Sequence, residues 1–541
     1  MNKIVVVILI FMVSLKMGFS QTESQIFQTI SAKNLMDKIA GGWAGKMIGV
    51  TYGGPTEYTF RKAINDAPIK WIPADLASSN TQDDLYVQLA FIMAMDKYGI
   101  DVSAKNIQEM MATAGFTMWA ANLQARKNYY NGIYAPLSGS PEYNYRADDI
   151  DFQIESDFIG FMNPGMIQNS INISDKIGHI MNYGDGVYGG TFVSAMESAA
   201  FFENDIERIV EKGLTAIPKE SNYSKIIGDV LLLHKQYPDN WKAAWKELDD
   251  KWSEIDISGA GIDFNFDATL NGAYIVMGLL YGEGDVMKTI DISTRCGQDS
   301  DCNPANAMAV LGVVKGYRNL PKEMTDQISQ IEDSTFSHTT YTFKTMVEST
   351  YNYAIKFIRK NGGTTLGEEI KIPVQSIKLK KLEVSFPDVV FDTVVSAFSK
   401  EKWDYKGNWQ VWQVPHWEKD HAPIEQSMYA NKIGDELEFT FDGSGIALYG
   451  NLYKYGGKAD FYVDGKLHQT IDTYYDYCKQ EPLDICIWHV FELKPGKHTV
   501  KVVVKAEKRE ESSGANICVT RAFIYKTGQK KNETYKFSFE R

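Results

Sequence analysis

The sequence is short of positive charge and of cysteine. Its 541 residues carry 56 Lys and Arg against 69 Asp and Glu, a formal net charge of −13. Because nucleic acids and anionic membranes attract basic surfaces, this balance argues against both as partners. Five cysteines are too few for a disulfide scaffold, so a hydrophobic core must stabilise the fold. Cys478 and Cys486 are near enough in sequence to form one disulfide across a hairpin.

Several common catalytic and membrane-spanning patterns are also missing. The sequence has no Gly-x-Ser-x-Gly nucleophile elbow and no Gly-x-x-x-x-Gly-Lys-Ser/Thr phosphate loop. Its first 370 residues hold three widely spaced histidines, His179, His234 and His338, which argues against a histidine-rich zinc site. The apolar run at residues 4–15 is too short to span a bilayer, which takes about 20 residues.

Residues 1–20 have the pattern of an export signal. Lys3 precedes the apolar run, and Gly18-Phe19-Ser20 supplies small residues at the usual cleavage distance. We therefore expect an exported protein, periplasmic or extracellular, whose mature chain begins at Gln21.

The remaining chain is too long for one hydrophobic core, and the spacing of its apolar residues changes near residue 370. Residues 21–370 show apolar residues at helical spacing, which predicts an all-α domain. Residues 371–541 alternate polar and apolar, as at residues 436–441 and 498–505, with Asp-Gly and Pro-Gly turns, which predicts an antiparallel β-sandwich. Aromatic residues crowd two parts of that second domain and could either stack on sugars or fill core and interface. They are Trp403, Trp409, Trp412, Trp417, Tyr474, Tyr475 and Tyr477.

Two acidic doublets stand about two hundred residues apart. Asp83-Asp84 and Asp299-Ser300-Asp301 each precede a stretch with helical character, so each would lie at a helix N-terminus. A helix cap alone explains an isolated pair of this kind. If the fold brings both together, the crowded carboxylates are best tolerated around a hard divalent cation.

A glycine stripe precedes the first doublet. Gly41, Gly45, Gly49 and Gly53 are four residues apart, which leaves one face of a helix bare. Glycine weakens a helix, so the stripe predicts that a second backbone packs closely against it.

The order of these motifs resembles the ADP-ribosylglycohydrolase family. The resemblance covers roughly residues 33–317 and continues through Gly54-Pro55-Thr56-Glu57, Gln82-Asp83-Asp84, Asn182-Tyr183-Gly184-Asp185-Gly186 and Gly297-Gln298-Asp299. It implies an all-α domain with magnesium, one or two ions, between the aspartate motifs. It also implies hydrolysis at the ribose anomeric carbon of ADP-ribose.

The resemblance also implies residue roles. Glu57 would serve in gating or acid–base chemistry, and a third acidic stretch adds Asp149, Asp151 and Glu155 as catalytic candidates, although a solvated helix face would explain that stretch equally well. The implied metal ligands are Asp83, Asp84, Asp299 and Asp301. The implied substrate-lining residues are Gln82, Asn182, Asp185, Gln298 and Cys302, of which Asn182 and Asp185 could equally be capping residues.

This chain departs from the family pattern at four positions. Gln82 and Leu85 replace threonines in the first motif, Cys302 replaces a threonine in the second, and Lys46 replaces an aspartate of the glycine helix. A thiol prefers softer metals than magnesium, and leucine cannot ligate at all. The departures leave open whether one ion or two are bound and whether ADP-ribose is the substrate.

The sequence thus predicts an exported, metal-dependent glycosyl hydrolase. Its substrate would be ADP-ribose or a ribose-like furanoside in a glycan, and export favours the glycan, although removal of ADP-ribosylation marks outside the cytoplasm stays open. The alternative is a non-catalytic glycan-binding protein with a degenerate helical domain. The oligomeric state is not predicted.

Overall fold

The computed structural model describes residues 25–57, 59–253, 257, 266–399, 401–413, 426–505 and 507–528. The predicted export signal and Trp417 lie outside the described residues. In the part that is described, no helix combines the length and the apolar character that crossing a bilayer requires.

The first part of the chain is helical, as predicted. Three of its helices, α8, α12 and α14, are buried almost throughout, which fits their small and apolar sequences. The helices are α1 (Ala32–Gly53), α2 (Asp83–Tyr98), α3 (Ala104–Thr113), α4 (Ala120–Tyr130), α5 (Asp151–Ile154), α6 (Asp157–Met162), α7 (Ile167–Gly178), α8 (Asp185–Ala200), α9 (Ile206–Leu214), α10 (Asn222–Gln236), α11 (Trp241–Trp252), α12 (Ala268–Gly282), α13 (Val286–Arg295), α14 (Cys302–Lys315), α15 (Lys322–Ile331) and α16 (Phe343–Lys360).

A small antiparallel sheet closes the helical part. Strand β1 (Phe27–Ser31) pairs with β3 (Glu369–Pro373), which also pairs with β2 (Thr364–Leu366). The predicted domain boundary after residue 370 falls inside β3. The beginning of the helical part is therefore joined to its end through backbone hydrogen bonds.

The second part consists of antiparallel sheets, as predicted. Leu437, Phe439 and Phe441 alternate inward along β8, and Phe461 of β10 contacts Trp488 of β12 across the facing sheets, with ring centroids 5.2 Å apart. The strands are β4 (Val389–Ser396), β5 (Trp403–Lys406), β6 (Gln410–Gln413), β7 (Gln426–Ala430), β8 (Glu436–Gly443), β9 (Gly445–Gly450), β10 (Lys458–Val463), β11 (Lys466–Asp472), β12 (Ile485–Val490), β13 (Gly496–Val504), β14 (Ile517–Val519) and β15 (Arg521–Thr527). The sheet orders are β11-β10-β13-β8-β5, β12-β9-β15-β4 and β14-β7-β6.

The five cysteines are all free. The disulfide considered between Cys478 and Cys486 does not form, because each thiol faces a backbone carbonyl instead. Cys478 Sγ lies 3.2 Å from the carbonyl oxygen of Ala114 and Cys486 Sγ lies 3.5 Å from that of Trp488. The first of these contacts joins the sheets to the helical part.

The described members of the two aromatic clusters are buried or half-buried. Trp403 stacks on Phe439 with centroids 4.2 Å apart. Tyr477 stacks on Tyr130 of α4 at 3.8 Å, across the boundary between sheets and helices. Packing therefore accounts for these rings, and sugar binding by the sheets remains a prediction.

Candidate active site

The glycine stripe of α1 packs against the backbone of α14. A Cβ added at Gly45 or Gly49 would overlap the carbonyl oxygen of Met308 or Pro304, and one added at Gly53 would overlap that of Ser300. The two helices therefore lie closer than any larger residue allows. This crossing sets the second acidic motif, at the start of α14, beside the end of α1, where Glu57 follows.

The fold brings the two acidic doublets together. One ligand atom each from Glu57, Asp299 and Asp301 lie within 4.8 Å of one another, and so do one each from Asp84, Asp301 and Cys302. Asp301 belongs to both groups. Asp83 begins α2 and its Oδ1 accepts a hydrogen bond from the Asp84 amide, 3.1 Å away. The two acidic motifs therefore converge in the fold, which their spacing in the sequence could not establish.

These carboxylates are buried, and their negative charges repel one another. Burial, with the charge of Glu57, raises the pKa of Asp299 to about 7. Burial and the charge of Asp299 raise the pKa of Asp301 well above its usual range, and burial with the charge of Asp84 raises the pKa of Asp83 to about 6. A cation bound among these carboxylates would offset their mutual repulsion and favour their ionised forms.

Asp301 offers a direct test of whether the residues fit a metal ion. Its side chain is 2% exposed, and its Oδ1 has no hydrogen-bond partner among the described residues. A buried carboxylate oxygen without a donor is costly unless something absent from the protein chain completes it. Three carboxylates of hard oxygen character fit Mg²⁺ or a similar divalent ion.

Lys46 occupies the other side of Asp84. Its Nζ lies 2.7 Å from Asp84 Oδ1 and 3.1 Å from Asp157 Oδ2, and neither side chain of these pairs is exposed. Burial alone would lower the pKa of Lys46, but the charges of Asp157 and Asp84 outweigh it and hold that pKa above its usual value. The structure thus places a permanent cation inside the acidic site.

Asp157 and Glu197 are site residues that the sequence reasoning missed. Asp157 was the last residue of the third acidic stretch, but its partners come from distant segments: Asn306 Nδ2 donates to it over 3.0 Å and Gln88 Nε2 over 3.2 Å. Burial and the charge of Asp157 raise the pKa of Glu197 well above its usual range. No local pattern marks Glu197, which lies in the apolar helix α8.

Asp151 and Glu155 meet at the start of α4. Asp151 accepts hydrogen bonds from the backbone amides of Asn122 at 2.9 Å and Ala121 at 3.2 Å. The side chain of Asn122 donates to Glu155 Oε1 over 2.5 Å, and Glu155 Oε2 is buried with no hydrogen-bond partner among the described residues. The charges of Asp83 and Asp84 act on Glu155, which places this pair next to the metal-ligand candidates.

The environments of the two acids differ. Burial raises the pKa of Asp151 to about 6, and the two amides oppose the rise. Burial and the charge of Asp151 raise the pKa of Glu155 well above its usual range. The surroundings therefore favour the protonated form more strongly at Glu155 than at Asp151, a difference of the kind found in acid and base pairs.

Other predicted site residues hold the backbone in place. Asp149 Oδ2 pairs with Arg146 Nη1 at 3.2 Å. Asn182 donates to the carbonyl oxygens of Ala147 and Asp149 and accepts from the Phe152 amide. It thereby braces the turn that presents Asp151.

Asp185 lies at the start of α8 and accepts a hydrogen bond from the Tyr223 amide at 3.0 Å. This contact directs the carboxylate towards the start of α10. Its predicted role in lining the substrate site stays a prediction.

The remaining predicted residues lie at the two acidic motifs. The Gln82 carbonyl accepts from the Tyr86 amide and begins α2. Gln298 is buried with a φ of 58°, and its backbone N–H donates a hydrogen bond to the carbonyl oxygen of Phe60. Cys302 Sγ donates to Asp84 Oδ2 over 3.1 Å, and burial together with the charges of Asp299 and Asp301 raises the pKa of the thiol well above its usual range.

The helical part of the chain is similar to known proteins. A family model described as ADP-ribosylglycohydrolase matches residues 31–352. A solved ADP-ribosylglycohydrolase-related protein complex is 10% identical, with a TM-score of 0.39, over 60% of this chain and 99% of that chain.

Two curated proteins of Flavonifractor plautii match shorter stretches. An A type blood N-acetyl-alpha-D-galactosamine deacetylase is 37% identical over 75 residues, which is 14% of this chain and 9% of that protein. An A type blood alpha-D-galactosamine galactosaminidase is 29% identical over 102 residues, which is 19% of this chain and 9% of that protein. The chain thus matches less than a tenth of the length of either relative. The family model, by contrast, covers more than half of the chain, and the chain therefore belongs to the ADP-ribosylglycohydrolase family.

Proposed function

We propose that this protein is a metal-dependent glycosyl hydrolase that acts on a sugar outside the cytoplasm. The observation that carries the proposal is the meeting of Glu57, Asp299 and Asp301 within 4.8 Å, with Asp301 Oδ1 buried and without a hydrogen-bond partner among the described residues. These carboxylates would hold a divalent ion, Mg²⁺ by preference, with Asp83 as a further predicted ligand. A bound ion would orient sugar hydroxyls and stabilise charge developing near the anomeric carbon.

Glu155 and Asp151 are suited to the proton transfers. Glu155 keeps its proton because it is buried beside Asp151, so it can protonate the leaving group. Asp151, oriented by the two amides of α4, can accept a proton from the attacking water. Asn122 fixes both carboxyl groups and is a positioning residue. Glu57 remains the alternative acid or base, because it lies beside Asp299 and Asp301.

The substrate class is inferred from the predicted export and from the matched relatives. ADP-ribosylated proteins are mainly intracellular, whereas residues 1–20 have the pattern of an export signal. The two matched curated proteins are named for a galactosamine sugar of A type blood. Both points favour a glycan over ADP-ribose. Hydrolysis of nitrophenyl furanosides, nitrophenyl pyranosides and ADP-ribosyl peptides, each with and without Mg²⁺, would identify the substrate class.

The test of the metal site replaces Asp299 and Asp301 together with Asn. We expect the double variant to lose its bound divalent ion, measured by elemental analysis after dialysis, and to lose turnover. The matched control replaces Asp250 and Asp326 with Asn, since both are exposed carboxylates paired with a lysine one helical turn away. Unchanged metal content in the Asp299 and Asp301 double variant would refute the proposal.

The alternative function is a non-catalytic glycan-binding protein. It is favoured by Cys302 and Lys46, which fill positions beside Asp84 where the family supplies hydroxyl and carboxylate oxygens. Glycan binding without a bound ion at millimolar Mg²⁺ and without turnover of any substrate in the panel would support this alternative.

A further inference from the structure

Lys46 has a complete set of acceptors inside the acidic site. It lies between Gly45 and Gly49 on α1 and is fully buried. Besides its ion pairs with Asp84 and Asp157, its ammonium donates to the carbonyl oxygen of Ile154 over 2.8 Å. Two carboxylate oxygens and one carbonyl oxygen therefore surround the ammonium group, which carries three hydrogens.

Asp84 and Asp301 differ in what surrounds them. Asp84 has Lys46 Nζ at one oxygen, 2.7 Å away, and the Cys302 thiol at the other, 3.1 Å away. Asp84 Oδ1 and Asp301 Oδ1 are both buried without a hydrogen-bond partner among the described residues. Asp84 Oδ1 nevertheless has the Lys46 ammonium group within ion-pair distance, whereas no described cationic side chain lies that close to Asp301. Asp84 thus has a counter-charge supplied by the protein itself, whereas Asp301 has none among the described residues.

From this difference we infer that Lys46 replaces one divalent ion as a fixed counter-cation, so that the site binds a single ion at Glu57, Asp299 and Asp301 and Asp84 is not a ligand. The inference rests on the proposed function, since it assumes that the acidic site binds metal at all.

Electrostatics supports one ion rather than two. A second dication bound through Asp84 would share a carboxylate with the Lys46 ammonium at close range, and like charges repel strongly where water is excluded. Asp157 does not offer a second place, because Gln88, Asn306 and Lys46 already donate to its two oxygens. Lys46 therefore neutralises Asp84 and Asp157 and leaves Glu57, Asp299 and Asp301 for the metal ion.

The number of bound ions in the wild-type protein is the first test. Titration with MnCl₂ followed by calorimetry, with elemental analysis of the dialysed protein, should give one ion per chain. Two tightly bound ions would overturn the inference while leaving the proposed function standing. No bound ion would refute the proposed metal site and this inference with it.

Two ligand variants test the assignment without disturbing Lys46. Asp84→Asn keeps Lys46 paired with Asp157, and we expect it to bind one Mn²⁺ with a dissociation constant within about fivefold of wild type. Asp301→Asn should weaken binding by a hundredfold or more. A loss in Asp84→Asn as large as that in Asp301→Asn would overturn the inference.

Removing the charge of Lys46 should allow a second divalent ion to bind. Lys46→Met keeps the length of the side chain but leaves Asp84 and Asp157 without their cation, so we expect two Mn²⁺ per chain. The matched control is Lys38→Met, which removes a part-buried lysine of the same helix whose ammonium binds three carbonyl oxygens and no buried carboxylate. The control should keep one ion. A folded Lys46→Met that still binds one ion would overturn the inference, and if this variant does not fold, Asp84→Asn decides it.

Discussion

At the scale of single residues, the surroundings of Asp151 and Glu155 push the pKa values of these two acids apart. Asp151 receives two backbone amides and Glu155 receives one side-chain amide, although both are buried. The same difference in environment separates an ionised base from a protonated acid in many hydrolases. The hydrogen bonds of a backbone amide cannot be recognised in a sequence, so the acidic stretch indicated Asp151 and Glu155 as candidates but not how their environments differ.

The role of Glu155 can be tested by removing its proton. Glu155→Gln keeps the size and still binds Asn122, but it cannot protonate a leaving group. We expect kcat to fall by a factor of about 10² to 10⁴ on the best substrate in the panel. Wild-type activity should fall as the pH rises through the raised pKa of Glu155, because the acid form is then lost, and this alkaline limb should vanish in the variant.

Asp149→Asn provides the comparison for that variant. Its carboxylate pairs with Arg146 rather than joining Asp151 and Glu155 at Asn122, so we expect kcat to fall less than tenfold. Equal losses in Asp149→Asn and Glu155→Gln, with the alkaline limb unchanged in both, would contradict the assignment of Glu155 as the acid.

At the scale of elements, the crossing of α1 and α14 determines the geometry of the site. The spacing of the glycines predicted a close approach, and the structure confirms it with the backbone of α14 at each position of the stripe. The sequence could not name α14 as the partner, because a bare helix face fits any other backbone. The sheet β1-β3-β2 was not predicted either, since Phe27 and Pro373 pair across nearly the whole helical part and short strands carry little local pattern.

Substitutions in the stripe test the importance of this crossing. Gly49→Ala would place a Cβ into the backbone of α14 at Pro304 and Ala305, so a helix must move. We expect a loss of about 3 kcal/mol in the free energy of unfolding, measured with urea, and weaker Mn²⁺ binding because α14 carries Asp301. Gly228→Ala is the matched control, since Gly228 also lies within a helix, α10, and a Cβ there meets nothing within 4 Å. Equal stability of the two variants would contradict a tight crossing.

At the scale of the whole molecule, the sheets are anchored on the helices that carry the acidic site. Arg126 of α4 donates to the Tyr475 hydroxyl over 3.4 Å, and Lys127 donates to the carbonyl oxygen of Ile487 over 3.1 Å. Helix α4 also presents the amides that bind Asp151. The change of hydrophobic pattern near residue 370 predicted two structural parts. It could not predict that the second part packs against α4, because contacts between parts depend on surface shape rather than on periodicity.

The joint between the two parts contains a histidine that should make it sensitive to acid. His489 of β12 is buried, and its Nε2 lies 2.6 Å from the carbonyl oxygen of Pro141 in the helical part. Burial lowers the pKa of His489 from 6.5 to about 4. The unfolded chain therefore binds this proton at a higher pH than the folded protein does, so stability falls as the pH drops from about 6.5 to about 4.

The size of this effect can be isolated by a pair of variants. Between pH 7 and pH 5 the histidine should cost the wild type about 2 kcal/mol of unfolding free energy, since each unit of pKa difference corresponds to about 1.4 kcal/mol. His489→Gln can still donate to Pro141 but does not titrate, so its unfolding free energy should fall by that much less over the same range. His498→Gln is the control with the opposite sign, because contacts with Lys494 and Asp464 raise the pKa of the half-buried His498, so its removal should deepen the acid-linked loss rather than relieve it. If His489→Gln loses as much stability between pH 7 and pH 5 as the wild type does, another group is responsible for the acid sensitivity of the joint.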